Sequence, residues 1–253
     1  MRRALVTGGA GGLGEAICIH LAEQDHHVIV HANRNPEKAE TLVAAIRDKG
    51  GSAETVCFDV RNHDLCQSKL TALTESSPIQ VLVNNAGIHD DAPLAGMSRE
   101  QWDRVLDVSL NGYFNVTRPL LMSMIRSRWG RIVNISSVSG RLGNRGQSNY
   151  AAAKAGLHGA TKALALELAT RKITVNTVAP GMIGAGMAAS IPQSIVDNVV
   201  PMKRMGTAHE VAAAVGFLVS DQAAYITGQI IGIDGGMTYP CRSGRLWRIP
   251  AFR

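Results

Sequence analysis

Seven short apolar runs rich in β-branched residues alternate with helical stretches along almost the whole chain, and this alternation leaves few folds open. The runs are Arg3–Thr7, Val28–Ala32, Ala53–Phe58, Val81–Asn84, Arg131–Ile135, Thr174–Val178 and Ile230–Ile233. Continuous apolarity of this kind suits strands buried on both faces of a parallel sheet. Between the runs, the pattern predicts helices over Leu13–Gln24, Pro36–Lys49, His63–Glu75, Arg99–Arg126, Asn149–Ala169 and His209–Ser220. Leu13, Ile17 and Leu21 recur every fourth residue and give the first helix one apolar face. Pro36 occupies a favoured first helical position, and Gly50-Gly51 closes that helix. Such repetition predicts an α/β fold: a single-domain, Rossmann-like, doubly wound parallel sheet of about seven strands, with helices on both faces. No linker interrupts the pattern before about residue 240, so 1–240 reads as one domain and 241–253 as an extension outside it.

The first strand runs into Thr7-Gly8-Gly9-Ala10-Gly11-Gly12-Leu13-Gly14, directly before a helix. Glycines there let the backbone turn tightly, admit a pyrophosphate and pack the helix on the strand. The helix N-terminus adds free N–H groups and the positive end of its dipole. At a first strand–helix junction, this loop points to a dinucleotide. The second strand ends His31-Ala32-Asn33-Arg34. An NAD site usually has a carboxylate here for the ribose hydroxyls. Ala32 removes it, and Arg34 with Asn33 or His31 is suited to a 2′-phosphate, which favours NADP.

After the fifth run comes Ser136-Ser137, and further on Tyr150-Ala151-Ala152-Ala153-Lys154. Tyr150 and Lys154, four apart, share a helix face. A phenol loses its proton near 10, and a nearby ammonium is expected to lower that value. Ser137, at the carboxyl end of the sheet, can hydrogen-bond a carbonyl oxygen. The three groups together can protonate a ketone oxygen as hydride reaches its carbon.

With Asp59-Val60, Asn84-Asn85-Ala86-Gly87 and Pro180-Gly181-Met182-Ile183, these motifs make residues 2–239 resemble the classical short-chain dehydrogenases/reductases. The resemblance implies a cofactor held by Gly8, Gly12, Leu13 and Gly14, with Asp59 and Val60 at the adenine. It further implies Asn85, Ala86 and Gly87 along the cofactor, and Pro180, Gly181 and Ile183 beside the nicotinamide. Ser137, Tyr150 and Lys154 would be catalytic, Tyr150 and Lys154 also touching cofactor. A homotetramer built on the long helices before strands five and six is expected. Two positions depart from the family. Ser109 stands where an asparagine often anchors a water-mediated proton relay to the lysine, and Asn111 is displaced by two residues, about 200° around a helix. Ala185 replaces a threonine after Pro-Gly, in a glycine-rich segment Gly184-Ala185-Gly186-Met187 read as a substrate lid.

Gly130-Arg131-Ile132-Val133, Gly143–Tyr150 and Arg171–Asn176 further resemble bacterial 3-oxoacyl-[acyl-carrier-protein] reductases. In that group two arginines at the active-site mouth dock the acidic carrier protein, and the matching positions are Arg128 and Arg171. The block Asn111–Arg118 and Ser109 resemble accessory reductases of aryl-polyene or polyketide clusters. The expected activity is NADPH-dependent reduction of a carrier-bound 3-oxoacyl thioester to the 3-hydroxyacyl thioester. A dehydrogenase of another secondary alcohol, and a cofactor-sensing binding module, are the alternatives.

The net charge of +6 is the one compositional feature this leaves open. Four arginines lie beyond Pro240; without them 22 basic and 20 acidic residues remain, a net +2. The charge is therefore no argument for nucleic-acid binding by the body. The tail reads as an extension without function, or else as a cover for a neighbouring subunit or an arm for acidic partners or membranes. No apolar run approaches membrane-spanning length, and the N-terminus is not a signal peptide. Cys18, Cys57, Cys66 and Cys241 have no Cys-x-x-Cys or zinc spacing, so no metal site is expected. They read as reduced thiols, with Cys18 and Cys57 in apolar patterns, in a cytoplasmic protein.

Overall fold

The computed structural model describes residues 1–75, 77–184 and 191–238. Its strands are β1 (Arg2–Val6), β2 (His26–Ala32), β3 (Ser52–Cys57), β4 (Ile79–Asn84), β5 (Gly130–Ile135), β6 (Ile173–Pro180) and β7 (Ile230–Ile233). They form one parallel sheet in the order β3-β2-β1-β4-β5-β6-β7. Each predicted run is a strand of it. Helices α1 (Gly12–Glu23), α2 (Pro36–Asp48), α3 (His63–Glu75), α4 (Arg99–Leu106), α5 (Gly112–Ser127), α6 (Ser139–Leu142), α7 (Ser148–Leu168), α8 (Gln193–Val199) and α9 (Ala208–Val219) complete the fold.

Strand side chains alternate between two cores. Ala4, Val6, Val28 and Val30 meet Ile17 and Leu21 of α1 and Val211 and Val215 of α9. Leu5, Ile29, Leu82 and Ile132 turn the other way, onto Leu70 of α3, Leu120 and Met124 of α5 and Leu164 of α7. Each of these valines, leucines, isoleucines and the methionine contributes about 1.5–3 kcal/mol on burial. The strand order reverses between β1 and β4, and this opens a crevice at the carboxyl ends of the strands, where such sheets bind ligands.

The edge strand β3 departs from the expected burial on both faces: only Ala53 of it is buried, and Thr55 and Cys57 on the same face are exposed. Cys57, expected to be a core thiol, is consequently exposed, whereas Cys18 and Cys66 are buried. The predicted helix Arg99–Arg126 is also interrupted. Its backbone widens into a π-helical turn at Asp107–Asn111, between α4 and α5. Such turns recur at functional sites. Immediately after it, Gly112 presses on Val60 so closely that a Cβ would lie 2.9 Å from Val60 Cγ2. The turn buries Ser109 and leaves Asn111 exposed, its Nδ2 donating to Asp107 Oδ1 at 2.7 Å. Asn111 thus does point away from the interior, as the two-residue displacement implies. Ala185 and the tail 241–253 lie outside the described residues.

Candidate active site

The loop from β1 to α1 is shaped by close backbone approach. Gly8 has φ +61°, and a Cβ on Gly14 would lie 2.2 Å from the Gly8 carbonyl oxygen. No side chain caps the start of α1, so its first N–H groups face the cleft unclaimed by a cap. A cavity of about 440 Å³ opens above them, lined by Gly8, Gly11 to Gly14, Asn33, Arg34 and Asn85 to Gly87. This is the environment a pyrophosphate needs, and the residues fit a dinucleotide.

His31 is excluded as a phosphate ligand. Its Nδ1 accepts from Gly8 N–H at 3.0 Å, and its Nε2 faces the Phe58 carbonyl at 2.9 Å. Both ring nitrogens are spent on backbone, and burial pushes its pKa down to about 4. A neutral strut holding the glycine loop is its role. The sequence reading missed Lys38, which the first turn of α2 brings to the same cavity as Arg34 and Asn33. Two cations therefore stand where the reading had one. Asp59, by contrast, is held by Arg61 through Nε and Nη2 at 3.0 and 2.7 Å, and this ion pair keeps its carboxyl below the usual range.

Thr7 and Asn85 lock β1 to β4. Thr7 Oγ1 accepts from the N–H groups of Asn85 and Ala86 at 2.9 and 3.0 Å, and Asn85 Nδ2 donates to the Thr7 carbonyl at 2.9 Å. A buried polar chain then crosses the sheet. Asn84 Nδ2 donates to Thr117 Oγ1 and Asn134 Oδ1, Asn134 Nδ2 to Thr161 Oγ1, and Thr161 pairs with Thr177. Buried networks of this kind specify one arrangement when every member is satisfied. Here the arrangement fixed is that of α7, which carries Tyr150 and Lys154.

Asn149 sets the start of α7: its Nδ2 donates to the Asp90 and Gln101 carbonyls at 3.0 and 3.1 Å. Lys154 Nζ is buried and donates to the Ile135 carbonyl at 2.8 Å. Burial lowers its pKa to about 8. Its ammonium lies 5.5 Å from the Tyr150 ring centroid. The expectation that lysine depresses the tyrosine needs correction. Burial pushes the Tyr150 phenol up, the Asp91 carboxylate adds to this, and a hydrogen bond with Ser137 pulls the other way. The ammonium is held by the Ile135 carbonyl, not by the phenol. The Tyr150 phenol therefore keeps its proton at neutral pH.

Ser137, Tyr150 and Lys154 line one slot with Leu13, Gly87, Pro180 and Gly181, adjoining the dinucleotide cleft. Ser137, Tyr150 and Ile183 also line a wider cleft of about 570 Å³, whose walls include Leu142, Met182, Val199 and Met237. Ser109 lies behind the slot. Its buried Oγ has no hydrogen-bond partner, yet it sits 3.5 Å, and Lys154 Nζ 3.1 Å, from the point where a Gly87 Cβ would stand. An orphan hydroxyl next to an ammonium is suited to one bridging water.

Arg128 and Arg171 are exposed but not at this mouth. Arg128 precedes β5 and Arg171 precedes β6, whereas Ser137 follows the end of β5. The six residues of β5 separate them from the site by about 20 Å at roughly 3.3 Å per residue. They share the opposite edge, where Arg128 donates to the Thr170 carbonyl at 3.2 Å. Among the described residues no group of three or more potential metal ligands occurs, and no helix is long and apolar enough to cross a membrane.

A parallel sheet of this order, with a glycine cradle and a Ser-Tyr-Lys slot at its carboxyl edge, defines an oxidoreductase architecture that takes a nicotinamide cofactor. The model of the short chain dehydrogenase family matches residues 2–195, and the chain belongs to that family. It is 45% identical over 236 residues to the 3-oxoacyl-[acyl-carrier-protein] reductase FabG of Aggregatibacter actinomycetemcomitans, covering 92% of this chain and 98% of that protein. It is 43% identical to nodulation protein G of Azospirillum brasilense, and 41% identical to FabG of Staphylococcus epidermidis. Each of these two alignments covers 93% of this chain and 98% of the relative.

Proposed function

We propose that the protein reduces a 3-oxoacyl thioester, carried on an acyl carrier protein, to the 3-hydroxyacyl thioester with NADPH. The observation that carries this reading is the meeting of Ser137, Tyr150 and Lys154 in one slot beside the dinucleotide cleft. The name shared by two of the relatives supports the substrate. A bound nicotinamide dinucleotide supplies the hydride. Tyr150 donates its phenolic proton to the ketone oxygen, and Ser137 donates a hydrogen bond to that same oxygen. Lys154 holds the nicotinamide ribose and restores the proton. Gly8, Gly12, Leu13 and Gly14 hold the pyrophosphate, Asp59 and Val60 the adenine, and Asn85 to Gly87 with Pro180, Gly181 and Ile183 the nicotinamide side.

Arg34, Lys38 and Asn33 select the 2′-phosphate. Removing both cations, Arg34→Ala with Lys38→Ala, should lower the ratio of kcat/KM for NADPH over NADH by about 100-fold. This corresponds to about 2.7 kcal/mol, two charge-assisted contacts. An unchanged ratio in initial-rate measurements would contradict the assignment.

Ser109 anchors a water that feeds Lys154. Ser109→Ala should reduce kcat by about tenfold, less than the roughly 10^2–10^4-fold a direct proton donor contributes, because Ser109 acts through a water. Ser109→Asn should restore or exceed the parent rate. Equal kcat for the Ala variant and the parent would remove Ser109 from the relay.

Arg128 and Arg171 steer an acidic carrier. Because they stand at the amino ends of β5 and β6, they serve the mouth of another copy, within the tetramer we propose. The relationship to nodulation protein G, whose name specifies no acyl substrate, supports a second reading: oxidation or reduction of another secondary alcohol or ketone. Initial rates on acetoacetyl thioesters against sugar and steroid alcohols separate the two. Higher rates on the alcohols would overturn the first.

A further inference from the structure

His89 is the one residue common to the cavity beside Arg34 and Arg61, the Tyr150–Lys154 slot and the substrate cleft. Its ring stands edge-on to that of Tyr150, with centroids 6.4 Å apart and an angle of 85°. Nδ1 faces Asp91 Oδ1 at 3.6 Å, and Asp91 Oδ2 accepts from Gln147 Nε2 at 2.8 Å. Gln147 Oε1 in turn accepts from Ser139 Oγ at 2.9 Å and Asn144 Nδ2 at 3.1 Å. The polar side chains of the substrate cleft thus fall into two sets. Ser137 and Tyr150 face the reacting oxygen, while Ser139, Asn144 and Gln147 are tied to one another and to Asp91. Among the described residues that line the substrate cleft, His89 is the only one with ring nitrogens, and its Nε2 has no hydrogen-bond partner. In the imidazolium form both nitrogens donate, one toward Asp91 and the other into the cleft.

A 3-oxoacyl thioester has a second carbonyl, separated from the first by a single methylene. With the ketone oxygen at Ser137 and Tyr150, the thioester oxygen leaves water and needs a donor, since a buried unpaired acceptor costs binding. We infer that His89 donates to this thioester oxygen, so that the protein grips its substrate by both carbonyls and disfavours ketones lacking the second. The inference rests on the 3-oxoacyl reduction proposed above. Asp91, steadied by Gln147, acts as the positioning residue that orients the ring.

The test compares two probes: the N-acetylcysteamine thioester of acetoacetate, and its thioether analogue in which the thioester carbonyl is CH2. The parent should prefer the thioester. In His89→Ala and His89→Phe the ratio of kcat/KM between the probes should fall by about tenfold or more, as when a site loses the partner of a substrate polar group. The fall should lie mainly in KM, and His89→Gln, which keeps an N–H donor, should recover most of it. A ratio unchanged in the Ala and Phe variants, with the parent active on the thioester, overturns the role of His89 alone. A parent that reduces no 3-oxoacyl thioester overturns both this role and the reading beneath it.

Discussion

Tyr150→Phe should lower turnover by at least about 10^3-fold, within the range that a positioned proton donor contributes, while NADPH still binds. The substitution removes only the hydroxyl. The ring keeps its place against His89 and over the Lys154 ammonium, and the glycine cradle is distant. Loss of turnover with retained NADPH fluorescence enhancement is the expected pair of results; retained turnover would exclude Tyr150 as the donor. A pH dependence accompanies this prediction. Burial holds the Tyr150 phenol up, so it stays protonated across the neutral range. Lys154, lowered to about 8, is the first of the two to lose its proton as pH rises. The reductive rate should be flat below about pH 8 and decline above it, and a rate rising through that region would contradict the assigned direction of proton flow.

Gly14→Ala should abolish measurable cofactor binding at concentrations that saturate the parent. A Cβ there would lie 2.2 Å from the Gly8 carbonyl oxygen, and 2.9 Å from both Gly9 Cα and Asn85 Nδ2. Most of these atoms are backbone, so relief requires the loop to move away from α1. Overpacking of this kind costs about 1–3 kcal/mol, and the loop that moves is the one that holds the pyrophosphate. Thermal unfolding should fall by roughly 2–12 °C for a domain of this size. Gly11→Ala offers the comparison, since its Cβ would stand 3.3 Å from the same oxygen and needs only a small adjustment. Equal cofactor affinity in Gly14→Ala and the parent would mean that the loop is not the phosphate cradle.

The sheet was legible because its strands are buried on both faces and so read as unbroken apolar runs. The edge strands β3 and β7 betrayed that rule, and Cys57 did so with β3. The interruption at Asp107–Asn111 left no local mark, because the turn answers to the fit of Gly112 against Val60, a contact between segments far apart in the chain. His31 is a similar case. Its partners, Gly8 N–H and the Phe58 carbonyl, lie on neighbouring connections that only the folded sheet brings together. Lys38 went unnoticed because it lies beyond the end of β2, on a helix whose first turn folds back over the cavity. The placement of Arg128 and Arg171, in contrast, was within reach of the sequence. Both precede their strands, Ser137 follows its own, and in a parallel sheet those are opposite ends. Family likeness drew attention to the pair, and strand direction decides whose mouth it can serve.

The central step is the passage of hydride from a nicotinamide to the third carbon of an acyl thioester. The decisive measurement incubates the protein with acetoacetyl-carrier protein and NADPH carrying deuterium at the transferable position of its nicotinamide, and analyses the product by mass spectrometry. The prediction is 3-hydroxybutyryl-carrier protein bearing one deuterium on its third carbon, formed one-for-one with NADPH oxidised. NADPH bound but not consumed, or a product free of the label, would contradict it.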